Sequence, residues 1–165
     1  MFLPKLSLVA LTAASLAGFR ATEKSPSASI QGVWQTVEVT VTGPGARTII
    51  QGEPCLTIIT AKHYSRVEVH TDRARPGVPD ASQATADELR AAWGPFVAEA
   101  GTYEVSNGNV VTMRSLVAKD PAAMAARAVS TYTFKLDGNT LWVTQQSGPR
   151  GPVPNPVTVK LTRVE

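Results

Sequence analysis

The chain predicts an all-β fold: an eight-stranded, up-and-down antiparallel β-barrel with one short helix covering its loop-rich end. Three observations carry this. Apolar and polar residues alternate with a period of two in eight separate segments, as half-buried strands do. Ser106-Asn107-Gly108-Asn109 and Asp137-Gly138-Asn139 stand between such segments, and Asn and Gly accept the positive φ that tight hairpins need. Long and short connections then follow one another in strict alternation, which sorts them to opposite ends of an up-and-down barrel.

The eight segments are 30–41, 55–60, 63–71, 101–105, 110–117, 129–136, 140–146 and 157–164. The first places Val37, Val39 and Val41 opposite Glu38 and Thr40, but Trp34 has the other parity, so a bulge is expected between them. The sixth aligns Tyr132, Phe134 and Leu136 on one face. The eighth sets Val157, Val159 and Leu161 against Thr158, Lys160 and Thr162. Long connections at 42–54, 72–100, 118–128 and 147–156 gather at one end, the expected mouth; the short ones, 61–62, 106–109 and 137–139, gather at the other.

A helix is expected over 86–99. Thr85-Ala86-Asp87-Glu88 has the form of a capping box, and Leu89, Trp93, Phe96, Val97 and Ala100 form an apolar stripe that Pro95 should kink or break. A second, shorter helix is expected from Pro121 through Ala126.

Residues 1–17 read as a signal peptide: Lys5 precedes thirteen uncharged residues from Leu6 to Gly18, and Ser15-Leu16-Ala17 suits a peptidase. That run is shorter than the roughly 20 residues a bilayer span takes, and Phe19 stands where a lipoprotein would carry cysteine. Residues 18–29 are a polar leader and 30–165 the barrel domain, so the expected localisation is exported, periplasmic or secreted, with no stable membrane anchor.

Net charge is +3, one less without Lys5, and the basic residues form no cluster with aromatics, so no nucleic-acid partner is expected. Two histidines and one cysteine, Cys55, make a His- or Cys-based metal site improbable and an intramolecular disulfide impossible. No cofactor and no catalytic residue is assigned. The one polar constellation is Tyr64, Arg66, Glu68 and His70, which share a face of the third strand opposite Ser65, Val67 and Val69. Pointed inward it is a possible catalytic set; it is read as the outer face, because burying unpaired charges costs several kcal/mol. The inward set is then Val37, Val39, Leu56, Ile58, Val67, Val69, Tyr103, Val105, Val111, Met113, Tyr132, Phe134, Leu136, Leu141, Val143, Val157, Val159 and Leu161.

Gly32-Val33-Trp34 at the head of the first strand resembles the lipocalin G-x-W signature. The stretches Ile30–Trp34, Thr60–Tyr64, Glu88–Trp93 into Ala100–Val105, and Phe134–Gly138 into Leu141 are similar to the bacterial lipocalin-like domain family. The resemblance implies an eight-stranded barrel, small-molecule binding, and a Trp34 that plugs the closed end. No Thr-Asp-Tyr motif occupies the turn at Asp137, no helix follows the last strand, and Arg163, inside that strand, is not given the role of the family's closing arginine.

The expected function is binding of a small apolar or aromatic ligand, with Trp93 and Phe96 as a lid and Tyr103, Met113, Tyr132 and Phe134 beneath it. The alternatives are a barrel enzyme such as an isomerase or cyclase, for which a polar lumen would speak, and a solid barrel used as a structural or interaction module.

Overall fold

The computed structural model describes residues 29–50 and 53–165. The expected signal peptide, and the leader apart from Ser29, lie outside the described residues.

In β1 (Gly32–Val41) the parity change between Trp34 and Val39 is resolved by a bulge: the register against β10 (Val157–Arg163) shifts between Thr36 and Glu38. Trp34, Thr36 and Val39 thereby all become buried. The other edge of β1 serves two partners, β2 (Arg47–Ile50) along Glu38–Val41 and β3 (Leu56–Ile59) along Gly32–Gln35. From β3 the chain runs up and down through β4 (His63–Val69), β5 (Phe96–Ser106), β6 (Val110–Ala118), β7 (Ser130–Asp137) and β8 (Thr140–Gly148). Each pairs antiparallel with its predecessor, and β8 pairs with β10 to close an eight-stranded barrel. β2 and β9 (Gly151–Pro152) lie in connections expected to hold no strand. Four and two residues are too few for an alternation to register.

The hairpin turns are built as the sequence requires, with positive φ at Asn107, Gly108 and Gly138. The helix is corrected: α1 spans Ala86–Trp93, and Phe96 already begins β5. The capping box forms, Thr85 N donating to Glu88 Oε2 at 2.8 Å and Glu88 N to Thr85 Oγ1 at 3.2 Å. Pro95 has no N–H for a further turn, and the residues after it have β4 to pair with, Phe96 opposite Val69 and Glu99 opposite Arg66. The second helix is a single 3₁₀ turn, Pro121–Met124, capped by the Asp120 side chain.

Trp34 is fully buried at the end carrying the short turns. Its Nε1 donates to Ile30 O at 2.8 Å, and the Arg163 guanidinium lies 4.1 Å from its ring centroid. Arg163 also donates to Ser29 O at 3.0 Å and Gln31 O at 2.5 Å. The closing role withheld from Arg163 is therefore one it performs. A strand end is as good a platform as a following loop, because its side chain reaches across to β1. Gly32, at φ +138, has to be glycine, since that backbone conformation strains any L side chain and a Cβ there would come within 2.7 Å of the Glu165 carbonyl oxygen.

The inward set is corrected on one wall. Leu56, Ile58 and Val67 are exposed, while Thr57, Ile59, Tyr64 and Glu68 are buried. Directly opposed residues share a face, and the register pairs Ile59 with Tyr64 and Thr57 with Arg66 on one side, Leu56 with Val67 and Ile58 with Ser65 on the other. Tyr64 and Ile59 pack in the cluster around Trp34. With a strict period of two, the strand cannot bury Tyr64 at the closed end without turning Arg66 and Glu68 inward as well. The outer-face reading of this constellation is thus overturned. Val105 has inward parity but stands at the rim by the β5–β6 turn, half exposed.

Candidate functional site

Inside the barrel is a cavity of about 100 Å³ with two unlike walls. Ile59, Met113, Leu141, Val143, Val157, Val159 and Leu161 supply an aliphatic lining, most of it from β8 and β10; Thr57, Arg66, Glu68, His70, Tyr132 and Gln145 supply a polar lining centred on β4.

The polar wall is one connected network. Arg66 Nε donates to Glu99 Oε1 at 2.9 Å, and Glu99 also accepts from Tyr64 OH at 3.3 Å and Ser115 Oγ at 3.2 Å. Arg66 NH2 donates to Tyr132 OH at 3.3 Å, and NH1 stands 3.9 Å from Glu68 Oε2. Glu68 is 2% exposed; its Oε2 lies 2.9 Å from His70 Nε2, and its Oε1 accepts from Thr57 Oγ1 at 3.4 Å. Glu99 reaches this wall because it is directly opposite Arg66 in β5. The bulge between Ala100 and Gly101 then brings Ser115 opposite Gly101, beside it.

Electrostatics keep Glu68 and Arg66 ionised. Burial pushes the Glu68 carboxyl up, but Arg66, His70 and Thr57 outweigh it and hold the group below the usual carboxylate range. Burial likewise opposes the Arg66 charge and is more than offset by Tyr132, Glu68, Glu99 and Tyr64, so the guanidinium stays a cation. Burial, with Glu99 adding to it, pushes the Tyr64 phenol up to about 12, the Ser115 hydrogen bond notwithstanding. A further polar atom, Thr36 Oγ1, is buried on the inward face opposite the cavity-lining Leu161 and has no hydrogen-bond partner among the described residues.

Of the residues singled out from sequence, Met113 and Tyr132 line the cavity. Tyr103 and Phe134 pack against the core cluster, and the Tyr103 hydroxyl donates to Thr60 O at 2.7 Å, at the closed end. Trp93, 53% exposed, meets Phe96 edge-to-face at 5.8 Å, and neither ring lines the cavity. Two cations hold this corner in place. Arg75, paired with Glu53 at 2.9 Å, lies over the Phe96 ring and donates to Ala92 O. Lys119 flanks Phe96 and donates to the carbonyls of Trp93 and Phe96. Helix-end carbonyls are thereby satisfied by side chains, which fastens α1 to its neighbours.

Arg66, Glu68 and His70 were visible as a polar face but assigned to the wrong side. Glu99, Ser115, Thr57 and Gln145 were missed; Glu99 was hidden inside the expected helix, and the others are ordinary strand polar residues with no motif around them. His63 faces outward, as its parity relative to His70 requires. No group of three or more His, Cys, Asp or Glu side chains among the described residues is placed to hold a metal ion.

A closed eight-stranded barrel with a plugged end and a lined lumen defines a lipocalin-type ligand-binding protein in general terms. The family profile described as a lipocalin-like domain matches residues 31–150, and the chain belongs to that family. Comparison with curated proteins gives no match.

Proposed function

We propose that the protein is exported and binds one small, largely apolar or aromatic molecule in the barrel lumen. The observation that carries this is the cavity itself: Met113, Leu141, Leu161 and the Tyr132 ring line space that side chains leave unfilled. A barrel packed solid would have fitted the structural-module reading. At about 100 Å³ the space is smaller than the roughly 150 Å³ cavity that accommodates benzene and well below the roughly 300–1,000 Å³ of drug-sized sites. The ligand, or the part of it that enters, is therefore about one ring or a short chain. Trp34 and Arg163 block the closed end, so entry is from the loop-rich end. Titration with benzene, followed by the methyl resonances of Met113, Leu141 and Leu161, should give saturable shifts at these methyls and none at the exposed Leu116; absence of saturable shifts would remove the lumen as a binding site.

Export rests on the apolar run after Lys5, and no helix among the described residues is long and apolar enough to cross a membrane. N-terminal sequencing of the protein from a Gram-negative host should begin near Gly18; retention of Met1 on membrane-bound protein would contradict it.

One observation favours the enzymatic alternative, the His70–Glu68 pair at 2.9 Å within the lumen, where a carboxylate orients an imidazole as a general base requires. Recovery of a bound compound as an isomer of the one supplied would establish that reading; recovery unchanged supports binding alone.

A further inference from the structure

A hydrogen-bond inventory of the polar wall shows which of its atoms are already engaged. Both Glu99 oxygens are occupied, by Arg66 and Tyr64 on one and Ser115 on the other. Arg66 is bonded to Glu99 and Tyr132, and its nearest atom to Glu68 stands beyond hydrogen-bond distance at 3.9 Å. Glu68 is the carboxylate with capacity left. It lines the cavity at 2% exposure, and one of its oxygens has only the long Thr57 contact at 3.4 Å. Because the carboxylate can only accept, His70 Nε2 carries the proton it shares with Glu68. Tyr132 OH accepts from Arg66, so its oxygen is a polarised hydroxyl beside the same space.

Two carboxylates, Glu68 and Glu99, face one guanidinium, Arg66, and that guanidinium is hydrogen-bonded to Glu99 rather than to Glu68. A buried carboxylate without a guanidinium of its own is costly, and replacing buried ion pairs by apolar residues is often neutral or stabilising, so stability does not account for this arrangement.

We propose that the ligand of the lumen is a small amine, its ammonium group set against Glu68 and its apolar body against the wall of Met113, Leu141 and Leu161. This rests on the lumen-binding reading above and adds the head-group class to it. The ammonium sets a positive charge against Glu68 and donates to its under-used oxygen and to the Tyr132 oxygen. A neutral alcohol of the same shape makes the hydrogen bonds without the charge. A carboxylate adds a third negative group to the wall.

The test uses probes of matched shape on the wild-type mature protein at about pH 8: benzylamine, benzyl alcohol and benzoate, with benzene as the apolar reference, each followed by the same methyl resonances. The expected result is that benzylamine binds at least about tenfold more tightly than benzyl alcohol, as a charge-assisted hydrogen bond in place of a neutral one implies, and that benzoate does not saturate. Glu68→Gln should abolish the preference for benzylamine over benzyl alcohol. Equal binding of benzylamine and benzyl alcohol, or tighter binding of benzoate, overturns the amine assignment while the lumen stands. If benzene also fails to bind, the lumen reading falls and this inference with it. The probe series decides between these outcomes even if Glu68→Gln does not fold.

Discussion

The two walls of the barrel obey the same period of two and use it in opposite senses. On β7, β8 and β10 the aliphatic parity points inward and the Thr and Lys parity outward, as Leu141 opposite Leu161 and Trp142 opposite Lys160 illustrate. On β3 and β4 it is the polar parity that points inward, and Leu56, Ile58 and Val67 stand in solvent. Alternation thus defines two faces without saying which is buried. On the aliphatic wall hydrophobicity decides. On the polar wall the large Tyr64 side chain, needed beside Ile59 and Trp34, decides instead, and the charges on its face are accommodated by pairing with one another.

The difference can be broken most sharply at Arg66. Arg66→Ala removes the guanidinium between Glu68 and Glu99 and should cost roughly 3–5 kcal/mol in urea unfolding, because Glu99 loses its charged partner and Glu68 is left in the lumen with His70 and Thr57 alone. Leu141→Ala on the opposite wall should cost about 2–5 kcal/mol by leaving a void. The walls part company in the repaired variant: Arg66→Met combined with Glu68→Leu and Glu99→Leu should restore stability to within about 1–2 kcal/mol of wild type or exceed it. A triple variant as unstable as Arg66→Ala would show that the charges hold the fold rather than serve a ligand.

The pH response separates the walls next. Glu68 has its folded pKa held below the usual range, so the stability it contributes is present above the ordinary carboxylate pKa and is lost as pH falls through the folded value. Tyr64 has its pKa raised to about 12 from an ordinary value of about 10; its contribution is complete below the unfolded value and is lost as pH rises from 10 toward 12. Thermal unfolding should therefore show an alkaline decline that Tyr64→Phe flattens; an unchanged alkaline limb in that variant would place its origin elsewhere. Least affected should be the helix corner: Trp93→Ala removes a half-exposed ring and its edge contact with Phe96, for about 1 kcal/mol of stability. A loss above about 3 kcal/mol would mean that Trp93 caps the core.

Much of the fold was legible in the chain because it is written in local terms. Turn residues at Asn107-Gly108 and Asp137-Gly138, a capping box at Thr85, and the parity break after Trp34 each specify their own geometry, and the alternation of loop lengths orders the strands. What stayed hidden depends on partners distant in sequence. Whether Arg66 and Glu68 face in or out turns on Glu99, thirty-three residues from Arg66, and on Tyr64 meeting the Trp34 cluster. The end of α1 was misplaced for the same reason: 96–99 suits a helical stripe alone, and becomes a strand because β4 lies alongside. Of the lumen, Met113 and Tyr132 could be placed by parity, whereas the contacts that Arg75 and Lys119 make with the Trp93–Phe96 corner come from elsewhere in the chain.

The lock between Trp34 and Arg163 also sets the order in which the molecule can be made. Arg163 donates to Gln31 across 132 positions, and β1 finds its second neighbour only in β10. No amount of early pairing between β3 and β8 closes the barrel or covers Trp34, so ring closure waits for β10 and carries the long loop-closure entropy of an all-β topology. A nascent chain lacking its last strand keeps an open edge on β1 and another on β8, the surfaces by which incomplete β-proteins associate. Refolding should accordingly be slow and single-step at the closure of β1 with β10. Loss of Arg163 should act mainly on how long the closed ring survives before it reopens.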